Sequence, residues 1–239
     1  MTTLFISDLH LDDRRPETTA LLLRFLQEEA GTADALYILG DLFEFWLGDD
    51  VPSTCSSEVA TALSSLKNKG VPCYFMHGNR DFLVREHYAQ MAGMKLLPEE
   101  YVADLYGEQV LLMHGDSLCS DDIPYQQFRK LVRNPTWQHE FLSKTPQERL
   151  QAAMEARDAS AVHKGNLDMN IMDVNQGEVI ERFERHGVHR MIHGHTHRPA
   201  THELLVKGET AQRIVLGDWY TQGSVLRVQP GGQYFLDVL

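Results

Sequence analysis

Short apolar runs at residues 4–7, 35–39, 71–76, 110–113 and 190–192 are bounded by turn-forming and polar residues, and each predicts a buried strand. Between several of them the period becomes helical. Residues 18–30 put Leu22, Phe25 and Leu26 on one face, residues 57–69 do so with Val59, Leu63 and Leu66, and residues 174–186 with Val179, Ile180 and Phe183. Strands alternating with helices predict an α/β layered fold. The last runs, 213–216, 224–228 and 234–238, are separated by Gly-rich and Pro-Gly turns and predict an antiparallel meander forming a second sheet.

Residues 122–170 break this alternation. Two helices are expected there, 125–142 and 146–162, joined at Ser143-Lys144-Thr145, with Pro146 as a favourable helix start. Apolar groups recur at helical spacing as Phe128, Leu131, Val132, Trp137 and Phe141, then as Leu150, Ala153, Met154 and Ala161. From Tyr125 to Lys164 there are seven Lys or Arg against four Asp or Glu, so a basic amphipathic insertion sits in a chain of net charge -12. The expected organisation is a core of residues 1–121 and 171–239 with a helical insertion over 122–170.

Directly after the apolar runs come five polar motifs: Asp8-Leu9-His10, Gly40-Asp41, Gly78-Asn79-Arg80-Asp81, His114-Gly115-Asp116 and Gly194-His195-Thr196-His197. Residues at the carboxyl ends of buried strands point into one crevice, so these pieces can meet at a single sheet edge. Asp8, His10, Asp41, Asn79, His114, His195 and His197 form a set of carboxylate, amide and imidazole donors too numerous for one ion. Shared between two ions with Asp41 as the bridge, they suit two-metal hydrolysis with ions ~3.5–4 Å apart. With no thiolate in the set, Mn²⁺ is the first choice, with Fe²⁺ or another divalent ion as an option. His77, His193 and His202 border the motifs and are expected to be structural, and Gly217-Asp218-Trp219 has no spacing that marks a ligand.

The negative charge argues against a general affinity for nucleic acid. Cys55, Cys73 and Cys119 cannot all pair and match no zinc pattern, which suits a reducing compartment. The chain starts without a basic segment leading into an apolar one, and no apolar stretch approaches the ~20 residues of a membrane span. The expectation is a cytosolic protein, or one attached to a membrane face.

In this order the five motifs resemble those of the calcineurin-like metallophosphoesterases, over nearly the whole chain. The longer strings around them, including Ile171-Met172-Asp173-Val174-Asn175, and the insertion are similar to the UDP-2,3-diacylglucosamine pyrophosphatases of lipid A biosynthesis. That resemblance implies a four-layer αββα sandwich of two facing mixed sheets flanked by helices, with the insertion as a lid. It implies hydrolysis of UDP-2,3-diacylglucosamine to UMP and 2,3-diacylglucosamine 1-phosphate, by metal-activated water attacking the phosphorus proximal to uridine. Asp8, His10 and His197 would hold one Mn²⁺, Asn79, His114 and His195 the other, with Asp41 between. Asp41, Asn79, Arg80 and His195 are the candidate catalytic residues, and Asn79, Arg80, Asp122, Tyr125, Ser160, Lys164 and His195 the candidate substrate contacts. Arg80 occupies a position where many metallophosphoesterases carry histidine. A permanently charged guanidinium clamps phosphate but is a poor acid, which suits a phosphate leaving group better than an alkoxide. Lys164 stands where the family often has a polar residue, and Leu167 where it has lysine. A monomer on the cytoplasmic face of the inner membrane is expected, with a lipid-linked UDP-sugar as partner and no nucleic acid. The competing readings are a relative acting on a dinucleoside polyphosphate or cyclic nucleotide, and a non-catalytic scaffold of the same fold.

Overall fold

A computed structural model of the chain describes residues 1–165 and 173–239, with side chains over 1–157 and 173–239. The strands in chain order are β1 (Thr3–Ile6), β2 (Ala35–Ile38), β3 (Cys73–Phe75), β4 (Met94–Leu96), β5 (Glu100–Leu105), β6 (Glu108–Met113), β7 (Arg190–His193), β8 (Ala200–Val206), β9 (Glu209–Val215), β10 (Ser224–Gln229) and β11 (Gln233–Val238). The helices are α1 (Pro16–Glu28), α2 (Thr54–Asn68), α3 (Glu86–Ala92), α4 (Ile123–Val132), α5 (Pro135–Leu142), α6 (Pro146–Gly165) and α7 (Gln176–His186). Local chemistry fixes their starts. Pro16 begins α1, a reciprocal Ser53/Ser56 capping box begins α2, and the Asn175 side chain caps α7, which ends at Gly187 in the left-handed region.

One sheet runs β11-β10-β1-β2-β3-β4 and the other β5-β6-β7-β9-β8. Alternation along β1 and β2 explains why both faces of the first sheet are covered. Leu4, Ile6, Leu36 and Ile38 pack with Leu22 and Phe25 of α1 and Val59 and Leu63 of α2. Phe5, Tyr37 and Leu39 join the other cluster with Leu111, Met191 and Ile192 of the second sheet and with Val179 and Phe183 of α7. The layers are therefore helix, sheet, sheet, helix, as the resemblance implies.

The expected C-terminal meander is divided between the sheets. β9 lies parallel to β7 in the second sheet, whereas β10 and β11 add antiparallel strands to β1 in the first. Turn spacing reports where strands end, and not which edge they join. The single helix expected over 125–142 is two helices, because Pro135 cannot donate into a continuing helix. Asn134 instead caps α5, its side chain accepting from the Thr136 and Trp137 N–H groups.

α4, α5 and α6 occupy the stretch expected to be an insertion. Phe141 is buried and Trp137 and Leu142 pack beside it on the first core cluster. Arg149 of α6 is 3% exposed; it donates to the Leu47 carbonyl at 2.7 Å and pairs with Asp50. Arg157 reaches Glu44 at 3.2 Å. Phe128, Leu131, Leu150 and Met154 remain exposed, so the apolar spacing of the insertion only partly reports packing. No helix of the described residues is long and apolar enough to cross a membrane.

Replacing Arg149 with Ala removes the buried hydrogen bond to Leu47 and the ion pair at one stroke. The expected loss is about 1–3 kcal/mol by chemical denaturation, with faster proteolysis within 123–157 than elsewhere. Unchanged stability and cleavage would show that the insertion is held by its apolar contacts alone.

Candidate metal centre

The seven candidate ligands follow the carboxyl ends of five strands, β1, β2, β3, β6 and β7, and the loop after β9 lies beside them. β1, β2 and β3 are parallel neighbours in one sheet, and β6, β7 and β9 in the other. The loops after them are knitted together by backbone bonds, Asp8 N–H to the Gly40 carbonyl at 3.1 Å, His10 N–H to Asp41 at 3.0 Å and Gly194 N–H to His114 at 2.9 Å. Close approach needs glycine at two of these points. A Cβ on Gly78 would lie 2.1 Å from Asp41 Oδ1, and one on Gly194 2.2 Å from Asp8 Oδ2.

Among the described residues seven non-glycine positions have positive φ, and five of them are Asp8, His10, Asp41, His195 and His197. Left-handed backbone is strained for such residues and persists where the surroundings over-determine it, as at functional sites. The side chains show what the strain achieves. Asp8 Oδ2 accepts from Ser7 Oγ at 2.6 Å and from the His195 N–H at 2.9 Å. Its Oδ1 is left facing His197 Nε2 at 3.3 Å, and that nitrogen is 3.3 Å from His10 Nε2. Asp41 Oδ1 accepts from the Arg80 N–H at 2.8 Å, while Oδ2 stands 3.8 Å from both His10 Nε2 and His114 Nε2. On the far side, Asn79 Oδ1 lies 3.0 Å from His114 Nε2 and 2.9 Å from His195 Nδ1. All seven predicted ligands are thus brought together, in two groups that meet at Asp41.

The electrostatics favour positive charge here. Burial opposes a proton on His114, yet the Asp41 and Asp8 carboxylates raise its basicity. Burial likewise opposes one on His10, and Glu44, Asp41 and Asp8 outweigh it. Asp8 is fully buried and still held well below the usual carboxylate range by His197, His114 and His10. Donors of this kind, with Nδ1 of His114 directed at the Leu39 carbonyl at 2.8 Å and Nδ1 of His10 facing Glu44 at 3.2 Å, fit divalent cations bound through Nε2.

Arg80 sits beside this centre with Nε buried and without a hydrogen-bond partner among the described residues. Asp81, an alternative partner, directs its carboxylate at the Gly78 and Leu42 N–H groups at 2.8 and 2.7 Å, and burial together with the Asp41 charge pushes it up to about 7. The Tyr125 ring lies 6.0 Å from that of His195, and its hydroxyl donates to Asp116 at 2.8 Å. Asp122 caps α4 at the Tyr125 N–H. The side chains of Ser160 and Lys164, and Leu167, Ile171 and Met172, lie outside the described residues.

Two basic residues of α4 and its end are engaged by groups from other elements: Arg129 binds Asp116 and Glu99 and Arg133 binds Glu99 and the Gly78 carbonyl, whereas Lys130 is exposed. Asp116 and Glu99 come from other elements, which helical spacing could not reveal. Glu44 and Asp218, which face the outer nitrogens of His10 and His197, were also missed as site residues. Each follows a strand and a Gly-Asp pair or a glycine, the one signal that could have marked them.

His193 is structural, as expected. The Arg213 guanidinium donates to its Nε2 at 3.0 Å and its Nδ1 donates to the Gly194 carbonyl at 2.8 Å, so the ring is neutral. Burial and the Arg213 charge push it down to about 3.

The calcineurin-like phosphoesterase model matches residues 1–199. The chain belongs to the calcineurin-like phosphoesterase family, whose members use divalent metal ions, and it is a hydrolase of that class. A UDP-2,3-diacylglucosamine hydrolase of Stenotrophomonas maltophilia is 56% identical, covering 100% of this chain and 99% of the relative. The protein of the same name from Serratia proteamaculans is 54% identical over 95% of each chain. A solved structure described as a novel archaeal phosphodiesterase superposes with a TM-score of 0.52 at 12% identity over 100% of both chains, a likeness of fold alone.

The unfolded chain protonates His193 near pH 6.5 and the folded chain only near pH 3, so this group withdraws stability as the pH falls through that window. In metal-free protein, His193→Gln should flatten the decline of the denaturation midpoint between pH 6.5 and 4 relative to the parent. Parallel profiles would show that His193 does not carry that dependence.

Proposed function

We propose that this chain hydrolyses the pyrophosphate bond of UDP-2,3-diacylglucosamine, releasing UMP and 2,3-diacylglucosamine 1-phosphate for lipid A synthesis, with two Mn²⁺ as cofactors. The names of the two relatives above support the substrate. The observation that carries the chemistry is the position of Asp41 Oδ2, 3.8 Å from an imidazole of each donor group. Asp8, His10 and His197 would hold one ion, Asn79, His114 and His195 the other, with Asp41 shared. When bound, such ions supply Lewis acidity toward phosphoryl oxygens and a nucleophile from water at neutral pH.

The remaining work falls to the protein. Arg80 stands beside the donor groups with an Nε that meets no hydrogen-bond partner among the described residues, and a guanidinium at that place can clamp oxygens of the pyrophosphate. Cleavage on the uridine side leaves a sugar phosphate, a monoester with a second pKa of ~6 that departs without a strong acid. Arg80 and His195 balance the charge that builds on the phosphoryl oxygens. Tyr125 is fixed beside His195 by its bond to Asp116, where it can orient the sugar phosphate, with Asp122 at the start of the same helix. The exposed Phe128, Leu131 and Met154 support a role for the insertion as a lid over acyl chains, and peripheral attachment to the cytoplasmic face of the inner membrane.

Chelator-stripped protein is expected to release UMP from UDP-2,3-diacylglucosamine in mild detergent only when Mn²⁺ is restored, and Asp41→Ala to lose that activity. Arg80→Ala should lower kcat by about 10²–10³ with little change in Mn²⁺ affinity, and Arg80→Lys should recover only part of it. Cleavage of a soluble dinucleoside polyphosphate without turnover of the lipid substrate would overturn the assignment.

A further inference from the structure

The loop after β9, Gly217-Asp218-Trp219-Tyr220, plays no part in the chemistry proposed above, yet three consecutive residues of it each meet a different candidate ligand. The Trp219 N–H donates to the Asp8 carbonyl at 3.1 Å. Asp218 Oδ2 lies 3.5 Å from His197 Nδ1. The Tyr220 ring stacks on that of His10, with centroids 5.1 Å apart and planes 11° from parallel, and lies 5.6 Å from that of His197. Asp8, His10 and His197 are the three donors of one group. Among the described residues no hydrogen bond, ion pair or ring contact joins the loop to Asn79 or His114 of the other.

The contacts are directed. His197 turns Nε2 toward Asp8 Oδ1 and His10 Nε2, so Nε2 is the nitrogen that would face a cation and Nδ1 the one left for the ring proton. A carboxylate facing Nδ1 selects that tautomer and fixes the ring plane, the usual duty of an outer partner to a metal-binding imidazole. Asp218 is itself fixed, since its Oδ1 accepts from the Tyr220 N–H at 2.9 Å and leaves Oδ2 for His197. The loop is anchored below by Trp219, which is 1% exposed, donates from Nε1 to the Ser224 carbonyl at 3.1 Å and meets Phe25 edge-on. Asp8, His10 and His197 all hold left-handed backbone, which needs such outside support.

We infer that Asp218-Trp219-Tyr220 braces one of the two metal positions selectively, with Asp218 as the positioning residue for His197 and the Tyr220 ring as that for His10. The inference rests on the two-ion reading of the site. Calorimetric titration of Mn²⁺ into the chelator-stripped full chain tests both, without recourse to turnover. The parent should take up two equivalents. Asp218→Ala and Tyr220→Ala should each weaken one step by roughly 10- to 100-fold and leave the other unchanged. Asp218→Asn, which keeps an acceptor, should fall between Ala and the parent, and Tyr220→Phe, which keeps the ring, should match the parent. Metal-free melting temperatures should stay the same across the set. Two unaltered steps in Asp218→Ala, or a loss shared by both steps with a lower metal-free melting temperature, overturns the brace. A parent that takes up one equivalent or none overturns the two-ion reading instead.

Discussion

Asp41 divides its carboxylate between two duties, and the geometry of the whole centre follows from that division. Oδ1 is pinned by the Arg80 N–H, so Oδ2 is left between His10 and His114 and the two donor groups share an atom. The pinning donor comes from the loop after β3, and Asp41 itself from the loop after β2. Their approach is possible only because Gly78 carries no side chain where Asp41 passes. The Asp81 carboxylate closes the same junction by accepting from Gly78 and Leu42 N–H groups.

The two sheets make this constraint affordable in backbone terms. Parallel strands end in register, so three loops from each sheet rise to one edge, and bonds between loops hold residues in a conformation that none would adopt alone. Five ligand positions with positive φ cluster at this edge, whereas the other two, Tyr106 and Lys207, lie in turns elsewhere. The insertion then anchors on the same edge through Arg129 and Arg133, which meet Asp116 and Gly78 beside the ligands. Helix α4 and the loops that carry the candidate ligands are thereby tied together by direct contacts.

Much of this was legible because the ligand motifs are local: each lies within a few residues of a strand end, so an apolar run followed by Asp, Asn or His marks it. The strand cores and the three amphipathic helices were legible by their period. What could not be read arises from pairs distant in sequence. Nothing in the helical spacing of Arg129 and Arg133 announces Asp116 and Glu99, and nothing near Asp218 announces His197. The placement of β9 and β10 in different sheets was hidden for a related reason, since a turn fixes where a strand stops and tertiary pairing decides where the next one goes. The division of the helix at Asn134-Pro135 was written in the chain, in a cap followed by a residue without an N–H, and the apolar period across it masked the break.

Two cations are proposed to share Asp41 where five strand ends meet. Anomalous diffraction from crystals grown with Mn²⁺, recorded on both sides of the manganese absorption edge, tests this sharing most directly. Two peaks are predicted, one among Asp8, His10 and His197 and one among Asn79, His114 and His195, with the Asp41 carboxylate between them. A single peak, or two peaks that do not share Asp41, would contradict the account.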